Sequence, residues 1–476
     1  MPTKKNLVSG KQGDLSQAKI QFFRRRQASY TEIVPPQQSF LVHNFGCRAS
    51  QADGAAIESG LVGQGLVPVG SYDVADWVVL NTCTVTSNAD DDLRQAVRRV
   101  HRENPAARIL VTGCYAQRSP EEIAALPGVS MVVGNSHKTQ IPDLIRPKLV
   151  QLGPVDSFHG EIHVGDIFAQ QDFLAAPVMD ASGDRARPNL KIQDGCGNRC
   201  SFCIIPSVRG RSRSMPLDQV IEQVRALSAE YPEVVLSGIN LGRWGRESTF
   251  DFGGRGPLRL AGLVRVLLNE TPIARLRLSS VEPMDFSTGL LELMANDGRI
   301  ARHVHAPLQS GSDTVLRRMH RKYRPRHYED RVRLARQLMP DAAIGADVMT
   351  GFPAETDAEF EESYRFIDSL PFTYLHVFTY SERPGTPAAS HANQVPIAVR
   401  KDRNRRLREL AAAKNRAFRE SMVGRRLTAV SLDGGTRALS SNYLQIELRD
   451  AVPARQIIDA HITGLTPSGL AANLIS

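Results

Sequence analysis

The sequence predicts an α/β protein with an N-terminal parallel-sheet α/β domain, a central partial (β/α)6 barrel and a small C-terminal β-barrel. Short apolar runs alternate with amphipathic helical segments over residues 39–150 and again over residues 182–413. Short strands joined by Gly-rich turns follow over residues 414–476. Strands that alternate with helices are typical of parallel sheets covered by helices, whereas closely spaced short strands are typical of small barrels.

The composition is that of a globular protein with a basic balance of charge. The chain has 476 residues, of which 42% are hydrophobic, and a net charge of +9. No apolar run approaches the roughly 20 residues needed to span a bilayer, so we expect no membrane partner. The positive charge favours a polyanionic partner, although many basic proteins bind none. Six cysteines in so long a chain indicate metal or redox chemistry, and we expect a monomer in a reducing cytoplasm.

The first 38 residues are basic and polar and lack the apolar centre of a secretory signal. We expect a disordered leader over residues 1–38. An RNA-contacting arm and an organellar presequence are the alternatives.

The strand candidates of residues 39–150 end in polar turns that carry cysteines. The runs SFLVHNFGC, DWVVLNTC and RILVTGC end at Cys47, Cys83 and Cys114, and VSMVVGN follows a short helix. Because the carboxyl ends of parallel strands lie along one edge of a sheet, we expect these three cysteines to converge. Buried structural thiols are the alternative. A shared metal site is favoured because each cysteine lies in a polar turn after its strand.

Residues 151–187 are irregular and rich in Pro, Gly and Asp, and we place a linker at residues 151–181. Six strand candidates follow, separated by helical segments: NLKIQ, EVVLSGIN, RLRLSSVE, HVHAPLQS, AIGADVMTGFP and YLHVFTYS. Six such units predict a partial TIM-type barrel with its active site at the carboxyl ends of the strands. The candidate ligand-binding residues at these ends are Gly238, Asn240, Ser280, Glu282 and Gln309.

A long basic helix is predicted to begin in RKDRNRRLR, residues 400–408. Four strand candidates follow: RLTAVSLD, NYLQIELR, QIIDAHITGL and LAANLIS. They fit a small OB-like barrel of the kind that binds oligonucleotides, and a structural cap is the alternative.

The loop GCGNRCSFCIIP carries the other three cysteines, Cys196, Cys200 and Cys203, at CxxxCxxC spacing. A structural zinc site takes four ligands and a disulfide takes two, so three cysteines fit neither. Four thiolates complete an ordinary 4Fe–4S cluster, and three leave one iron open. An open coordination position is where metal sites carry out chemistry. The missing ligand is therefore expected to be a substrate or cofactor.

This loop after the first strand of a six-unit barrel resembles the radical S-adenosylmethionine family, and Phe202 matches the usual aromatic residue. The resemblance implies that Cys196, Cys200 and Cys203 are catalytic and hold a 4Fe–4S cluster. Its open iron would bind S-adenosylmethionine, with Gly238, Asn240, Ser280, Glu282 and Gln309 as candidate contacts. Reductive cleavage of that cofactor would yield a 5′-deoxyadenosyl radical.

The order of the three predicted domains resembles the methylthiotransferases within this family. It implies a methylthiotransferase domain at 39–150, a radical core at 182–413 and a TRAM domain at 414–476. It also implies that Cys47, Cys83 and Cys114 hold an auxiliary 4Fe–4S cluster that binds the sulfur to be inserted.

Three substrate classes are open: tRNA with threonylcarbamoyladenosine beside the anticodon (position 37), tRNA with isopentenyladenosine there, and an aspartate of a ribosomal protein. Four stretches most resemble the threonylcarbamoyladenosine group: NTCTVTSNADDDLRQAVRR, VTGCYAQRSPEEIAALPGVSMVVGN, PLQSGSDTVLRRMHRKYR and LHVFTYSERPGTPAA. This implies insertion of a methylthio group at C2 of that nucleoside. It also implies tRNA, a flavodoxin- or ferredoxin-type electron donor and a sulfur source as partners. NFGCRASQADG departs from the usual Leu-Gly-Cys-Lys, which puts a role for Arg48 in doubt.

Basic residues after the cluster loop and beyond the fourth strand agree with an RNA substrate: Arg209, Arg211, Arg213, Arg317, Arg318, Arg321, Lys322 and Arg324. A solvated face is the alternative for any one run. The threonyl carboxylate calls for a cation, for which Arg383 and Arg324 are the candidates. A catalytically inactive Fe–S RNA-binding protein is the non-enzyme alternative, and two complete cysteine triads argue against it.

Overall fold

The computed structural model describes residues 38–84, 87–145, 160–170, 172–176, 186–247 and 257–475. The chain from Ser39 onward forms one compact unit. Nearly all of the predicted leader and about half of the predicted linker lie outside the described residues. In the described part of the chain, no helix is both long enough and apolar enough to cross a bilayer.

The N-terminal domain is a six-stranded parallel sheet with helices on both faces, as predicted. The sheet order is β2-β1-β3-β4-β5-β6. The strands are β1 (Ser39–Asn44), β2 (Val67–Pro68), β3 (Trp77–Thr82), β4 (Arg108–Gly113), β5 (Val129–Gly134) and β6 (Glu161–His163). The helices are α1 (Arg48–Gly63), α2 (Ser87–Glu103), α3 (Cys114–Arg118), α4 (Pro120–Ala124) and α5 (Ile141–Ile145). The two short edge strands, β2 and β6, were not predicted, and β6 lies inside the predicted linker.

Alternate residues of the central strands fill two separate cores in this domain. Val78 and Leu80 of β3 pack on one face with Leu93 of α2. Val79 packs on the other face with Ile57 of α1. A strand covered on both faces needs apolar residues at successive positions, which explains the continuous run at the start of β3.

The central domain is an open barrel of six parallel strands. A four-stranded sheet of order β10-β9-β7-β8 and a three-stranded sheet of order β11-β12-β13 form its wall. The strands are β7 (Asn189–Asp194), β8 (Arg213–Ser214, antiparallel), β9 (Glu233–Gly238), β10 (Arg275–Leu278), β11 (His303–His305), β12 (Ala343–Thr350) and β13 (Tyr374–Thr379). A backbone bridge between Leu276 and Ile300 joins the two sheets. The fold class predicted for this domain is confirmed.

Helices cover the outside of the central barrel. They are α6 (Ile205–Arg209), α7 (Leu217–Ser228), α8 (Leu260–Glu270), α9 (Thr288–Asn296), α10 (Asp313–Arg318), α11 (Pro325–Leu338), α12 (Asp357–Ser369) and α13 (Ile397–Glu420). The outward residues of β12, such as Ile344 and Val348, join the apolar core under these helices. Its inward residues include Asp347, which lies opposite His376 of β13. The barrel therefore has an apolar exterior and a polar interior.

The C-terminal module is a closed barrel of order β14-β15-β16-β18-β17. Its strands are β14 (Arg426–Ser431), β15 (Arg437–Ser440), β16 (Gln445–Leu448), β17 (Ile457–Leu465) and β18 (Leu470–Leu474). Four strands were predicted, and the four-residue strand β15 was missed. The predicted boundary between residues 413 and 414 falls inside α13, a continuous helix that leads into this barrel.

The C-terminal barrel packs against the amino-terminal ends of the central strands. Ala343, the first residue of β12, belongs to the same apolar cluster as Phe418 of α13 and Leu427 of β14. Arg277 of β10 donates hydrogen bonds to the backbone oxygen of Ser440 at 3.0 Å and to that of Ser441 at 3.1 Å. The C-terminal barrel therefore closes the end of the central barrel that lies opposite the cysteine loop.

Candidate active site

Cys47, Cys83 and Cys114 follow three neighbouring strands of the N-terminal sheet. Two glycines with positive φ bring their turns close together. A Cβ atom on Gly46 would lie 2.4 Å from the Cβ of Cys83, and one on Gly113 would lie 2.4 Å from the backbone oxygen of Thr82. Only residues without a Cβ fit these contacts. The convergence that the sequence predicted at this edge is present.

The surroundings of this auxiliary triad offer donors to sulfur. Asn135, just beyond β5, donates from Nδ2 to the Sγ of Cys114 at 3.6 Å. Cys114 is 2% exposed, and Cys83 is also buried. Cys47 is exposed, so the triad opens to solvent on one side. An amide donor at a buried sulfur suits a thiolate ligand, because it stabilises the negative charge.

Cys196, Cys200 and Cys203 lie in the loop between β7 and α6. The Cys196 amide donates to the Gly210 backbone oxygen at 3.1 Å, and the Cys203 amide donates to the Cys200 backbone oxygen at 3.1 Å. The hydroxyl of Ser201 donates to the Arg318 backbone oxygen at 2.8 Å. These bonds attach the loop to the barrel rim at both ends.

Two side-chain donors, besides the backbone N–H of Asn198, reach sulfur atoms of this second triad. Arg321 donates from Nη1 to the Sγ of Cys200 at 3.1 Å, and Asn240 donates from Nδ2 to the Sγ of Cys196 at 3.7 Å. The guanidinium of Arg321 also donates to Glu282 at 2.5 Å. Burial raises the pKa of Cys200, and the positive charge of Arg321 opposes that shift. Burial raises the pKa of Cys203 to about 12.

The candidate cofactor-binding residues occupy the rim around this loop. The backbone N–H of Asn240 donates to Gln193 of β7 at 2.6 Å, next to Gly238. Glu282 lines a cleft of about 320 Å³ together with Cys200 and Arg321. Gln309 is half-buried at the end of β11 with φ 69°, and Ser280 is half-buried after β10. Their contacts with S-adenosylmethionine remain predictions.

The two triads are connected through a short apolar contact. Cys114 packs in one cluster with Ile204 and Val208, which lie directly after Cys203. The Nδ2 of Asn135 donates to the Val208 backbone oxygen at 2.7 Å as well as to the sulfur of Cys114. The segment after the second triad therefore forms one wall of the first.

A buried group of charges holds the same two segments together. The carboxylate of Asp53 on α1 accepts hydrogen bonds from Lys138 and Arg209, each at 2.9 Å, and from Lys191. The carboxylate of Asp194 at the end of β7 accepts from Lys191 at 3.0 Å and from Arg209 at 2.9 Å. Burial alone would raise the pKa of Asp53, but Arg209 and the two lysines lower it to about 2. These side chains form an ionised network between the two cysteine-bearing domains.

Two arginines predicted as phosphate contacts point inward. Arg209 is 2% exposed and bridges Asp53 and Asp194. Arg321 is 8% exposed and contacts Cys200. The phosphate-contact interpretation is wrong for both, because their guanidinium groups are taken up by buried partners. The basic runs gave no signal that distinguishes these positions from exposed ones.

The two candidate substrate cations are both paired. Arg383 is buried and donates to Asp90 of α2 at 2.9 Å. Arg324 is more exposed and lies 3.3 Å from Asp313 on the barrel rim. A carboxylate-binding role for Arg383 would require it to leave Asp90. Contact of either residue with substrate remains a prediction.

The donor sets fit the iron–sulfur clusters that the sequence suggests. Each triad presents three thiols, and the hydrogen bonds to sulfur described above come from N–H groups. Thiolates with N–H donors are the usual ligands of 4Fe–4S clusters. Three thiols leave one coordination position for another molecule.

Comparisons with known proteins agree with this architecture. Residues 39–134 match the family described as "Uncharacterized protein family UPF0004", and residues 190–367 match the Radical SAM superfamily. A threonylcarbamoyladenosine tRNA methylthiotransferase MtaB of Aquifex aeolicus is 35% identical over 404 residues, covering 85% of this chain and 95% of the relative. The Bacillus subtilis protein of the same name is 39% identical, covering 77% of this chain and 78% of the relative.

A second kind of relative is also similar. A tRNA-2-methylthio-N(6)-dimethylallyladenosine synthase of Novosphingobium aromaticivorans is 34% identical, covering 82% of this chain and 85% of the relative. Among solved structures, the radical S-adenosylmethionine methyltransferase TsrM of Kitasatospora setae has a TM-score of 0.53 and 15% identity. The match covers 74% of this chain and 77% of TsrM, and it supports the fold alone. With two cysteine triads in place and relatives that span most of its length, the chain belongs to the radical S-adenosylmethionine methylthiotransferase family.

Proposed function

We propose that this protein inserts a methylthio group at C2 of N6-threonylcarbamoyladenosine next to the anticodon of tRNA. The observation that carries the proposal is the pair of three-cysteine sites joined at one interface. Each would leave one iron of a 4Fe–4S cluster without a protein ligand. This chain covers 95% and 78% of the lengths of two relatives that are named for this reaction. A relative named for the dimethylallyl nucleoside is nearly as similar, so the substrate needs a direct test.

The proposal assigns each triad a group to hold. Cys196, Cys200 and Cys203 would hold the cluster that binds S-adenosylmethionine, and Cys47, Cys83 and Cys114 would hold the auxiliary cluster. When bound, these groups supply the radical chemistry that an unreactive aromatic C–H bond requires. Arg321 would keep Cys200 oriented through its hydrogen bond, and Glu282 in turn orients Arg321.

The remaining parts of the proposal concern partners. A positive net charge suits an RNA substrate, because phosphate contacts dominate nucleic-acid affinity. The reaction needs a low-potential electron donor of the flavodoxin or ferredoxin type and a source of sulfur. A monomer in the cytoplasm, where tRNA is modified, completes the proposal.

Side-by-side assay of two tRNA substrates tests the substrate assignment. The reconstituted enzyme is given tRNA with threonylcarbamoyladenosine and, separately, tRNA with isopentenyladenosine. Methylthiolated nucleosides are then measured by mass spectrometry. The expected product appears only with the threonylcarbamoyl substrate. Preference for the isopentenyl substrate would move the protein to the other tRNA-modifying group.

A further inference from the structure

A hydrogen-bonded polar cluster lies inside the central barrel, on the inner faces of β11, β12 and β13. Asp347 Oδ1 lies 3.1 Å from the Nε2 of His305 and 3.1 Å from the Nδ1 of His376. The other ring nitrogen of His305 lies 3.0 Å from the hydroxyl of Tyr374. We call His305, Asp347 and His376 the barrel cluster. Register places all three side chains on one face, because Asp347 pairs with His376 and His305 pairs with Gly345.

Exposure increases across this cluster from β11 to β13, the last strand of the three-stranded sheet. The side chain of His305 is 8% exposed, that of Asp347 is 24% exposed and that of His376 is 50% exposed. Phe378, two residues further along β13, is also 50% exposed. The side chain of His376 can therefore be reached by a molecule at the β13 edge of the sheet.

The floor below the cluster is closed by the C-terminal barrel. The ring of Tyr443 stacks on His303 with centroids 4.4 Å apart, and its face lies 5.4 Å from the guanidinium of Arg277. His303 in turn lies 2.6 Å from the Tyr374 hydroxyl. The Nδ1 of His303 is buried and has no hydrogen-bond partner among the described residues. The side of the cluster that faces the C-terminal barrel is therefore closed.

The charges of the barrel cluster and of His303 suit a ligand with both acceptors and donors. Burial alone would raise the pKa of Asp347, but hydrogen bonds from His305 and His376 hold it well below its ordinary value. The carboxylate is then an acceptor for N–H and O–H groups. Burial lowers the pKa of His303 well below its ordinary value, and the positive charges of Arg277 and Arg48 act in the same direction.

We propose that the barrel cluster binds the polar N6 substituent of the substrate nucleoside, with His376 as the residue that determines specificity. This inference rests on the proposed function. A threonylcarbamoyl group carries a carboxylate, a hydroxyl and a urea, which imidazole N–H groups and the Asp347 carboxylate can pair. An isopentenyl group carries no polar atom and would offer the cluster no hydrogen-bond partner. Sites built for hydrogen bonds reject analogues that lack them much more strongly than apolar pockets reject an added group.

The substitution His376→Phe tests the inference, because it keeps an aromatic ring and removes both nitrogens. The enzyme is assayed with one tRNA that carries threonylcarbamoyladenosine and with the same tRNA carrying unmodified adenosine at that position. We expect the ratio of the two kcat/KM values to fall at least about tenfold, the size of one lost hydrogen bond to a charged group. Binding of both tRNAs, measured without turnover, should lose the preference for the threonylcarbamoyl tRNA. The iron content should stay at the wild-type value.

Two further variants complete the test. His376→Gln keeps an N–H donor and should lose less of the ratio than His376→Phe. If His376→Phe fails to hold iron, the ratio of the two kcat/KM values for His376→Gln decides instead. A fall in that ratio supports the inference, and an unchanged ratio overturns it. His461→Phe, at an exposed position on β17 of the C-terminal barrel, is the matched control and should leave the ratio unchanged.

An unchanged ratio in an iron-replete His376→Phe enzyme would overturn the inference and leave the proposed function standing. Wild-type enzyme that ignores the threonylcarbamoyl substrate would overturn the proposed function, and the inference with it. The two failures are therefore distinguished by the wild-type measurement.

Discussion

Arg209 shows how one side chain connects the parts of this site. It follows the second cysteine triad closely in sequence, and its guanidinium bridges Asp53 of the N-terminal domain and Asp194 of the central barrel. Burial lowers its pKa, but Asp194 and Asp53 raise the pKa of Arg209 well above its ordinary value. Removal of one partner from a buried ion network leaves uncompensated charges, which is more costly than loss of the pair itself.

The substitution Arg209→Ala should therefore lower the free energy of unfolding by about 3 kcal/mol. Arg211, two residues away in the same basic run, is exposed. Arg211→Ala should change stability by less than about 0.5 kcal/mol, as surface substitutions usually do. Denaturant unfolding of the two iron-loaded variants checks the difference. Equal stability of the two would show that the buried network does not hold the domains together.

The turns at the edge of the N-terminal sheet depend on glycine. Gly113 has φ 104°, and a Cβ atom there would lie 2.4 Å from the oxygen and 2.6 Å from the nitrogen of Thr82. Gly113→Ala should shift the Cys114 turn and reduce bound iron toward half, because only the auxiliary triad is affected. Iron and sulfide analysis after anaerobic reconstitution measures this loss.

Gly65→Ala is the matched control for this prediction. Gly65 also has positive φ, at 85°, but nothing lies within 4 Å of its added Cβ. Gly65→Ala should lower the free energy of unfolding through backbone strain and keep all of its iron. If both variants retained all of their iron, close approach of the turns would not matter for the auxiliary site.

The sequence alone predicted the elements that are marked by a local pattern of apolar and polar residues. Continuous apolar runs identified β3 and β4, and the polar turns after them located Cys83 and Cys114. Strand β15, only four residues long, carries too few residues to show an alternating pattern. The inward direction of Arg209 and Arg321 could not be predicted, because their partners Asp53 and Glu282 are distant in sequence. Asp53 and Lys191 were missed for the same reason.

At the scale of the whole molecule, the C-terminal barrel closes the floor of the central barrel. Glu233 of β9 accepts hydrogen bonds from Arg277, which also donates to the loop after β15. Burial alone would raise the pKa of Glu233, but Arg277 and its neighbours lower it to about 2. The module predicted to bind oligonucleotides therefore also supports the floor of the barrel.

Tyr443→Ala tests this structural role. The half-buried ring packs between His303 and Arg277, and its loss should lower the free energy of unfolding by about 2 kcal/mol, less than the loss of a fully buried aromatic side chain. The control Ile457→Ala changes a side chain on β17 that is 40% exposed, and it should cost less than about 1 kcal/mol. Thermal and denaturant unfolding compare the two. A stability unchanged by Tyr443→Ala would mean that the C-terminal barrel does not support the floor.

The central claim is that one molecule holds two three-cysteine sites with different duties. Cys200→Ala and Cys83→Ala are the matched pair that tests it, since each removes one thiol from one triad. After anaerobic reconstitution with S-adenosylmethionine, a reductant and substrate tRNA, 5′-deoxyadenosine and methylthiolated nucleoside are measured in the same reaction. We expect each variant to retain roughly half of the iron. Cys200→Ala should form neither compound, whereas Cys83→Ala should form 5′-deoxyadenosine without product. Methylthiolated tRNA from Cys83→Ala, or loss of all iron from either variant, would contradict the account.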